Sequence, residues 1–183
     1  LCEDREAWGE LAALLLGRID HLDDKADRIP TLHKLANVYE NRLEDTGSAF
    51  LVIQRAVGED GEDPHSLAEL ERLASATEEW DALVDTWKAS IPTMEDAYLQ
   101  GEYWIKLGTI LRDKLDRLEE AVSAFTNVLN EQPQHGGALE ALVEAPVYKV
   151  VGGFPNLGDS IRNRIHFLLL TINYYLVICV LLI

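Results

Sequence analysis

The sequence predicts an all-α fold in which antiparallel helix pairs stack on one another as an α-solenoid. Residues of the same kind recur 72 positions apart, as Trp8 and Trp80 or Leu11 and Leu83 do. Apolar residues follow the three- and four-residue spacing of a helix face, and turn-forming residues separate these runs. A fixed internal offset is typical of repeat proteins, in which each unit buries its apolar face against its neighbours.

The first elements follow from this spacing. A lone helix is predicted over residues 4–21, and its Trp8 matches a position in a later helix. The apolar run from Leu32 to Leu43 lies on one helix face, which predicts a helix over 28–44. The segment Asp-Thr-Gly at 45–47 breaks it, and the partner helix is expected over 47–57. Thr46 is the expected N-cap of that partner.

Further breaks lie in the acidic, glycine-containing segment 58–64, at Ile-Pro-Thr in 91–93 and at 132–137. Thr77 is a second expected N-cap. Trp80 and Trp104 occupy repeat-matched positions and are expected to pack between helices, whereas Trp87 falls near a helix end. The remaining helices are predicted over 65–76, 78–90, 95–115 and 118–130, with a last one from about residue 135.

One unit carries a known signature, which covers both of its helices. Its residues are Trp104-x2-Leu107-Gly108-x2-Leu111, then Ala121-x3-Phe125, then Pro133. This pattern resembles the tetratricopeptide repeat, whose unit of about 34 residues carries W-x2-L-G-x2-Y, A-x3-F and P positions. Residues 32–53 match less fully, and residues 64–89 less still. The resemblance extends over about residues 3–144.

The resemblance implies a right-handed superhelix of helix pairs that works as a protein-interaction scaffold without a cofactor. Residues 1–145 are then the repeat array, with about three helix pairs and flanking half-units. Residues 146–165 form a linker, and residues 166–183 a hydrophobic segment outside the repeat pattern. Because the first helix matches the second half of a unit, we expect the chain to be a fragment of a longer helical-repeat protein.

In proteins that resemble this family, the first helix of each pair lines a concave groove that binds a protein or peptide. The positions pointing away from the packing stripe hold basic residues and no acid, which predicts a locally positive groove. A neighbouring helix rotation admits Glu40, Glu71 and Asp113 instead, and a plain solvated surface is the other alternative. The candidate partner-binding residues are His33, Lys34, Asn37 and Asn41, then His65, Ala68, Arg72 and Ser75, then Ile105, Lys106, Thr109 and Arg112.

The formal net charge is −16 at pH 7, with 32 acidic against 16 basic residues. Residues 146–183 hold three basic residues and one acidic residue, so the acidic excess belongs to the repeat array. An acidic surface repels nucleic acid, and we therefore expect no nucleic-acid partner. The oligomeric state does not follow from the composition.

The hydrophobic segment contains no charged residue from 167 to 183. About 17–20 apolar residues suffice to span a bilayer, and Arg162, Arg164 and His166 just before it favour a cytoplasmic position for the array. Three interpretations remain open: a C-terminal membrane anchor, the start of a longer membrane region, or non-native sequence joined to the array. The compartment itself is not determined.

Catalytic patterns are absent from the sequence. The five histidines are scattered, the two cysteines form no CxxC motif, and no phosphate-binding glycine loop occurs. No serine is expected to have histidine and aspartate partners. The sequence therefore predicts no enzymatic activity, no metal and no cofactor. Besides a soluble scaffold, a membrane-tethered assembly factor and a regulatory or docking segment of a larger enzyme remain as alternatives.

Overall fold

The computed structural model describes residues 2–144, and the described part is helical throughout. The predicted helices are confirmed there, with bounds that differ by at most three residues. The predicted linker and hydrophobic segment, 146–165 and 166–183, lie outside the described residues. The elements are α1 (Cys2–Ile19), α2 (Lys25–Arg42), α3 (Thr46–Glu59), α4 (Pro64–Thr77), α5 (Trp80–Ser90), a 3-10 turn (Ile91–Thr93), α6 (Ala97–Asp113), α7 (Leu118–Glu131) and α8 (Gly136–Glu144).

Two compact units divide the chain, unit 1 up to Gln100 and unit 2 from Gly101. In unit 1, α2 packs between α1 and α3, and α4 and α5 pack together against α3. The apolar stripe of each helix is buried by its neighbours, because no helix pair can enclose its own stripe alone. Leu35, Leu67 and Leu83 are fully buried in this way.

A left-handed residue joins the two helices of each pair. Glu44 has φ 56°, Glu78 has φ 60° and Asp116 has φ 53°. After Glu44 and after Asp116, the next backbone N–H donates to the carbonyl six residues back, at 2.8 Å in both places. This bond spans one residue more than the bond of a Schellman motif, whereas the N–H after Glu78 donates to the carbonyl five residues back at 3.1 Å, as in that motif. Since Glu44 and Asp116 lie 72 positions apart, the offset seen in the sequence is repeated in the backbone.

Replacing either of these left-handed residues with glycine should stabilise the chain. A residue with a Cβ is strained in this conformation and glycine is not, so Glu44→Gly or Asp116→Gly should raise the free energy of unfolding by about 0.5–1 kcal/mol. Urea denaturation followed by circular dichroism measures the change. Asp85→Gly, in the exposed interior of α5, is the control and should lower stability by about 0.3 kcal/mol, because glycine has a lower helix propensity than aspartate. An equal loss of unfolding free energy in all three variants would contradict the left-handed conformation of Glu44 and Asp116.

The predicted N-caps are wrong. Asp45, not Thr46, caps α3, and its carboxylate accepts from the backbone N–H three residues on at 2.9 Å. Thr77 lies in the last turn of α4, where its hydroxyl donates to the carbonyl one turn back at 2.9 Å. Asp63 caps α4 in the same manner as Asp45 does α3. A carboxylate is preferred at these positions because it also interacts favourably with the helix dipole.

The tryptophans differ in how far they are buried. Trp87 is fully buried, whereas Trp80 and Trp104 are half-buried. Although Trp87 lies near the end of α5, both α3 and α4 pack against that helix. Position along a helix is therefore a poor guide to burial where two neighbouring helices cover it.

In unit 2, the glycine of the repeat signature is required by packing. A Cβ built on Gly108 of α6 would overlap the ring of Phe125, which lies fully buried on α7. The small residue and the aromatic residue of the signature therefore form one contact. This contact brings the two helix backbones close together.

Gly108→Ala should destabilise unit 2 by about 1–3 kcal/mol, because the Phe125 ring must move. Helix propensity alone predicts the opposite sign. Gly17→Ala is the matched control, since a Cβ on this glycine of α1 meets nothing within 4 Å, and it should stabilise the chain. Thermal melts of both variants check the prediction, and a gain in stability for Gly108→Ala would contradict it. The double variant Gly108→Ala with Phe125→Leu should recover part of the loss.

Candidate functional site

The predicted groove residues of unit 1 lie on α2 and α4. Lys34, Asn37 and Asn41 are exposed on successive turns of α2, and His65 is exposed on α4. Two open depressions adjoin these helices, with volumes of about 430 and 540 Å³. The first is lined by Leu11, Leu15, His33, Lys34, Asn37 and Val38, and the second by Ala68, Glu71, Arg72, Ser75, Ala76 and Trp80.

The predicted residues of unit 2 are half-buried and form contacts within that unit. Thr109 donates its hydroxyl to the Ile105 carbonyl at 2.9 Å, and the Lys106 ammonium lies 4.9 Å from the centroid of the Tyr103 ring. Arg112 pairs with the neighbouring Asp113 at 2.6 Å.

Arg72 does not supply an unpaired positive charge. Its guanidinium donates to both carboxylate oxygens of Glu40, at 2.8 and 2.7 Å, and to Glu69 at 2.8 Å. The hydrogen bonds that Glu69 accepts from Arg72 lower the pKa of Glu69. The hydrogen bonds to Glu40 and Glu69 raise the pKa of Arg72. The expectation of a groove without acidic residues is therefore wrong at this position. Arg72 instead joins α4 to α2, because its side chain reaches the preceding helix pair.

A second polar contact joins the same two helices. The imidazole rings of His33 on α2 and His65 on α4 stack, with centroids 4.2 Å apart and planes 17° apart. His33 Nε2 lies 2.8 Å from the hydroxyl of Ser66, and that hydroxyl donates to Asp63 at 2.5 Å. Since the single serine proton goes to the carboxylate, His33 Nε2–H must be the donor to Ser66. This assigns the Nε2–H tautomer to neutral His33.

These three residues have the composition of a catalytic triad but not its geometry. In a triad, histidine accepts the serine proton and the carboxylate orients the histidine. Here the carboxylate of Asp63 accepts the serine proton, and Ser66 is fully buried. The arrangement caps α4 and holds His33. Sequence reasoning missed it because His33 and Ser66 are 33 positions apart and meet only when α2 and α4 pack.

Among the described residues, no three histidine, cysteine or acidic side chains gather as a metal-ligand set. No helix between residues 2 and 144 is long and apolar enough to cross a bilayer. The candidate membrane anchor, 166–183, falls outside that range.

Comparisons with known proteins are sparse. No protein-family model matches the chain, and no curated protein does. Among solved structures, the chain is similar to one titled "Crystal structure of MamA", with 18% sequence identity and a TM-score of 0.47, over 88% of this chain and 82% of that chain. A likeness at this level carries no argument about partners or activity.

The histidine pair predicts a pH dependence of stability. Burial, and then the charge of His65, lower the pKa of His33, while Asp63 and Glu69 oppose this in part. The folded state therefore binds fewer protons than the unfolded state, whose histidine pKa is 6.5. The stabilising contribution is present above that pH and is lost as the pH falls below it.

Chemical denaturation at pH 7.5 and pH 5.5 checks this sign. The wild type should lose more unfolding free energy between the two pH values than His33→Gln, whose amide can still donate to Ser66. His65→Gln should also reduce the loss, because it removes the neighbouring charge. His21→Gln, at an exposed position outside the pair, should behave as the wild type. A pH dependence unchanged in His33→Gln would refute the role of the pair.

Proposed function

We propose that the chain is a protein-interaction scaffold that binds a peptide or an extended protein segment along α2 and α4 of unit 1. One observation carries the proposal. Lys34 and Asn37, one helical turn apart, are exposed beside a depression with an apolar floor. Neither side chain has a hydrogen-bond or ion-pair partner among residues 5–142. Their donors and acceptors are free for a ligand, and the depression offers apolar contact beside them.

The charge of this surface favours a ligand that has both polar and apolar groups over a strongly acidic ligand. The charge of Arg72 is balanced by Glu40 and Glu69, so Lys34 is the unpaired cation next to the depression in the described part of α2. A single cation with neighbouring amides suits a segment that presents one carboxylate or several backbone carbonyls, together with an aliphatic side chain. Recognition is then expected to depend on shape and hydrogen bonds more than on net charge.

The contacts between α2 and α4 support binding by holding the surface in place. Arg72 with Glu40, and His33 with Ser66, restrain the two helices relative to one another. A surface that is already ordered loses less conformational entropy when a ligand binds. His33, Asp63, Glu69 and Arg72, whose pKa values are shifted, are engaged in these contacts, which favours a binding role over a catalytic one.

The proposal includes the finer description of the fold, a right-handed superhelix of tetratricopeptide type. Two observations support it. The left-handed joints at Glu44 and Asp116 repeat with the sequence offset, and Gly108 and Phe125 of the signature form one contact.

A peptide selection tests the binding site. Peptides selected from a random displayed library against the full chain are measured by calorimetry against Lys34→Ala and Asn37→Ala. Each variant should weaken binding about five- to tenfold, which corresponds to one lost hydrogen bond. Asn127→Ala, at an exposed position on α7, is the matched control and should leave affinity unchanged. Selected peptides that bind both α2 variants as tightly as the wild type would place recognition elsewhere.

A membrane-tethered assembly factor is the second candidate function. The uncharged stretch from 167 to 183 favours it. Carbonate-resistant pelleting of the full chain, together with a soluble and helical 1–145 fragment, is the expected result for an anchor. Full release of the chain by carbonate would remove this candidate.

A further inference from the structure

Helices α1 and α5 occupy equivalent positions, 72 residues apart in the sequence. One side of each helix is buried to a similar degree. Ala12 and Ile19 of α1 are 3% and 1% exposed, and their equivalents, Val84 of α5 and Ile91 of the 3-10 turn that follows it, are both fully buried. The other side differs. Leu11 is 36% exposed, whereas its equivalent on α5 is fully buried. One face of α1 thus lacks the cover that α5 has.

The cover on α5 is provided in part by α4, which packs against it. The same offset makes α8 the equivalent of α4, because Leu139 corresponds to Leu67 and Leu142 to Leu70. Leu67 and Leu70 are fully buried, whereas Leu139 is half-buried and Leu142 is 5% exposed. Within the described residues, α1 therefore has an apolar face equivalent to one that is covered on α5. On α8, Leu139 is more exposed than Leu67, its equivalent on α4.

The two faces also carry opposite charge. Leu11, Leu14 and Arg18 follow the spacing of one helix face, and Leu14 is 73% exposed. Arg18 is exposed and has no side-chain partner among residues 5–142. On α8, Glu140 directly follows Leu139 and is exposed, also without a partner in that range. The leucines and Arg18 of α1 are thus complementary to Leu139 and the adjacent Glu140 carboxylate of α8.

We propose that a second copy of this chain docks head to tail, with its α8 against the α1 face formed by Leu11, Leu14 and Arg18. The contact would reproduce between copies the way α3 and α4 cover α5, where Gln54 of α3 donates to Thr86, the equivalent of Leu14. Such an interface is heterologous, so each copy uses two different surfaces and the association can continue beyond a dimer. The α1 face shares Leu11 with the depression beside Lys34 but none of its polar residues, and the inference does not depend on the proposed peptide binding.

The net charge of −16 per copy opposes association. At about 0.15 M salt, however, the Debye length is about 8 Å, so distant repulsion is screened and the contacting groups decide the outcome. Experiments belong at that ionic strength.

A charge exchange on the full-length chain tests the interface by sedimentation velocity over a range of concentrations. The wild type should show association that increases with concentration. Arg18→Glu and Glu140→Arg each place like charges together and should each weaken the association at least about tenfold. An equimolar mixture of the two variants should restore it, because every contact in an alternating assembly again pairs opposite charges. Both positions are exposed, and circular dichroism confirms that the variants are folded.

An apolar pair of variants tests the same face independently. Leu14→Glu should weaken association, and Leu51→Glu, at a similarly exposed leucine of α3 (63% exposed), should not. Nonspecific association through residues 167–183 would respond to neither the charge exchange nor Leu14→Glu. A monomeric wild type at about 100 µM, no recovery in the mixture, or equal behaviour of the two leucine variants would overturn the proposal.

Discussion

The burial of each helix by the next helix pair is the constraint on which the rest of this structure depends. Neighbouring helices cover the apolar stripes, so that Leu35, Leu67 and Leu83 are fully buried. The two helices of a pair also approach each other closely, with left-handed residues at the joints and, in unit 2, with Gly108 at the contact with Phe125. Stability in such an arrangement is shared between neighbours, and a face without a neighbour is a place where another chain can bind.

The polar contacts between α2 and α4 have a different role. Arg72 reaches Glu40, and His33 reaches Ser66, so two helices from successive pairs are joined at two points along the same surface. Both contacts use groups that the sequence presents as free ligand-binding side chains. Their engagement leaves Lys34 and Asn37 as the unpartnered groups beside the first depression, which narrows the candidate site to α2.

Prediction from the sequence succeeded where short-range pattern decides the outcome and failed where long-range packing does. Helix positions follow from apolar spacing and from turn residues, and their bounds were correct to within three residues. The N-caps were misassigned by one residue or more, because aspartate and threonine compete at such positions and the local backbone selects between them. Arg72 was misjudged because its carboxylate partner on α2 is 32 positions away, and the contact depends on the rotation of each helix.

The sequence by itself determined the all-helical class, the order of the helices and the 72-residue offset, since these depend on spacing along the chain. Only the tertiary structure decided which side chains are enclosed and which groups meet. Trp87 is buried because two helices cover α5, and His33 meets Ser66 because α2 lies against α4. Such contacts arise from the packing of elements distant in sequence, and periodicity within one element carries no information about them.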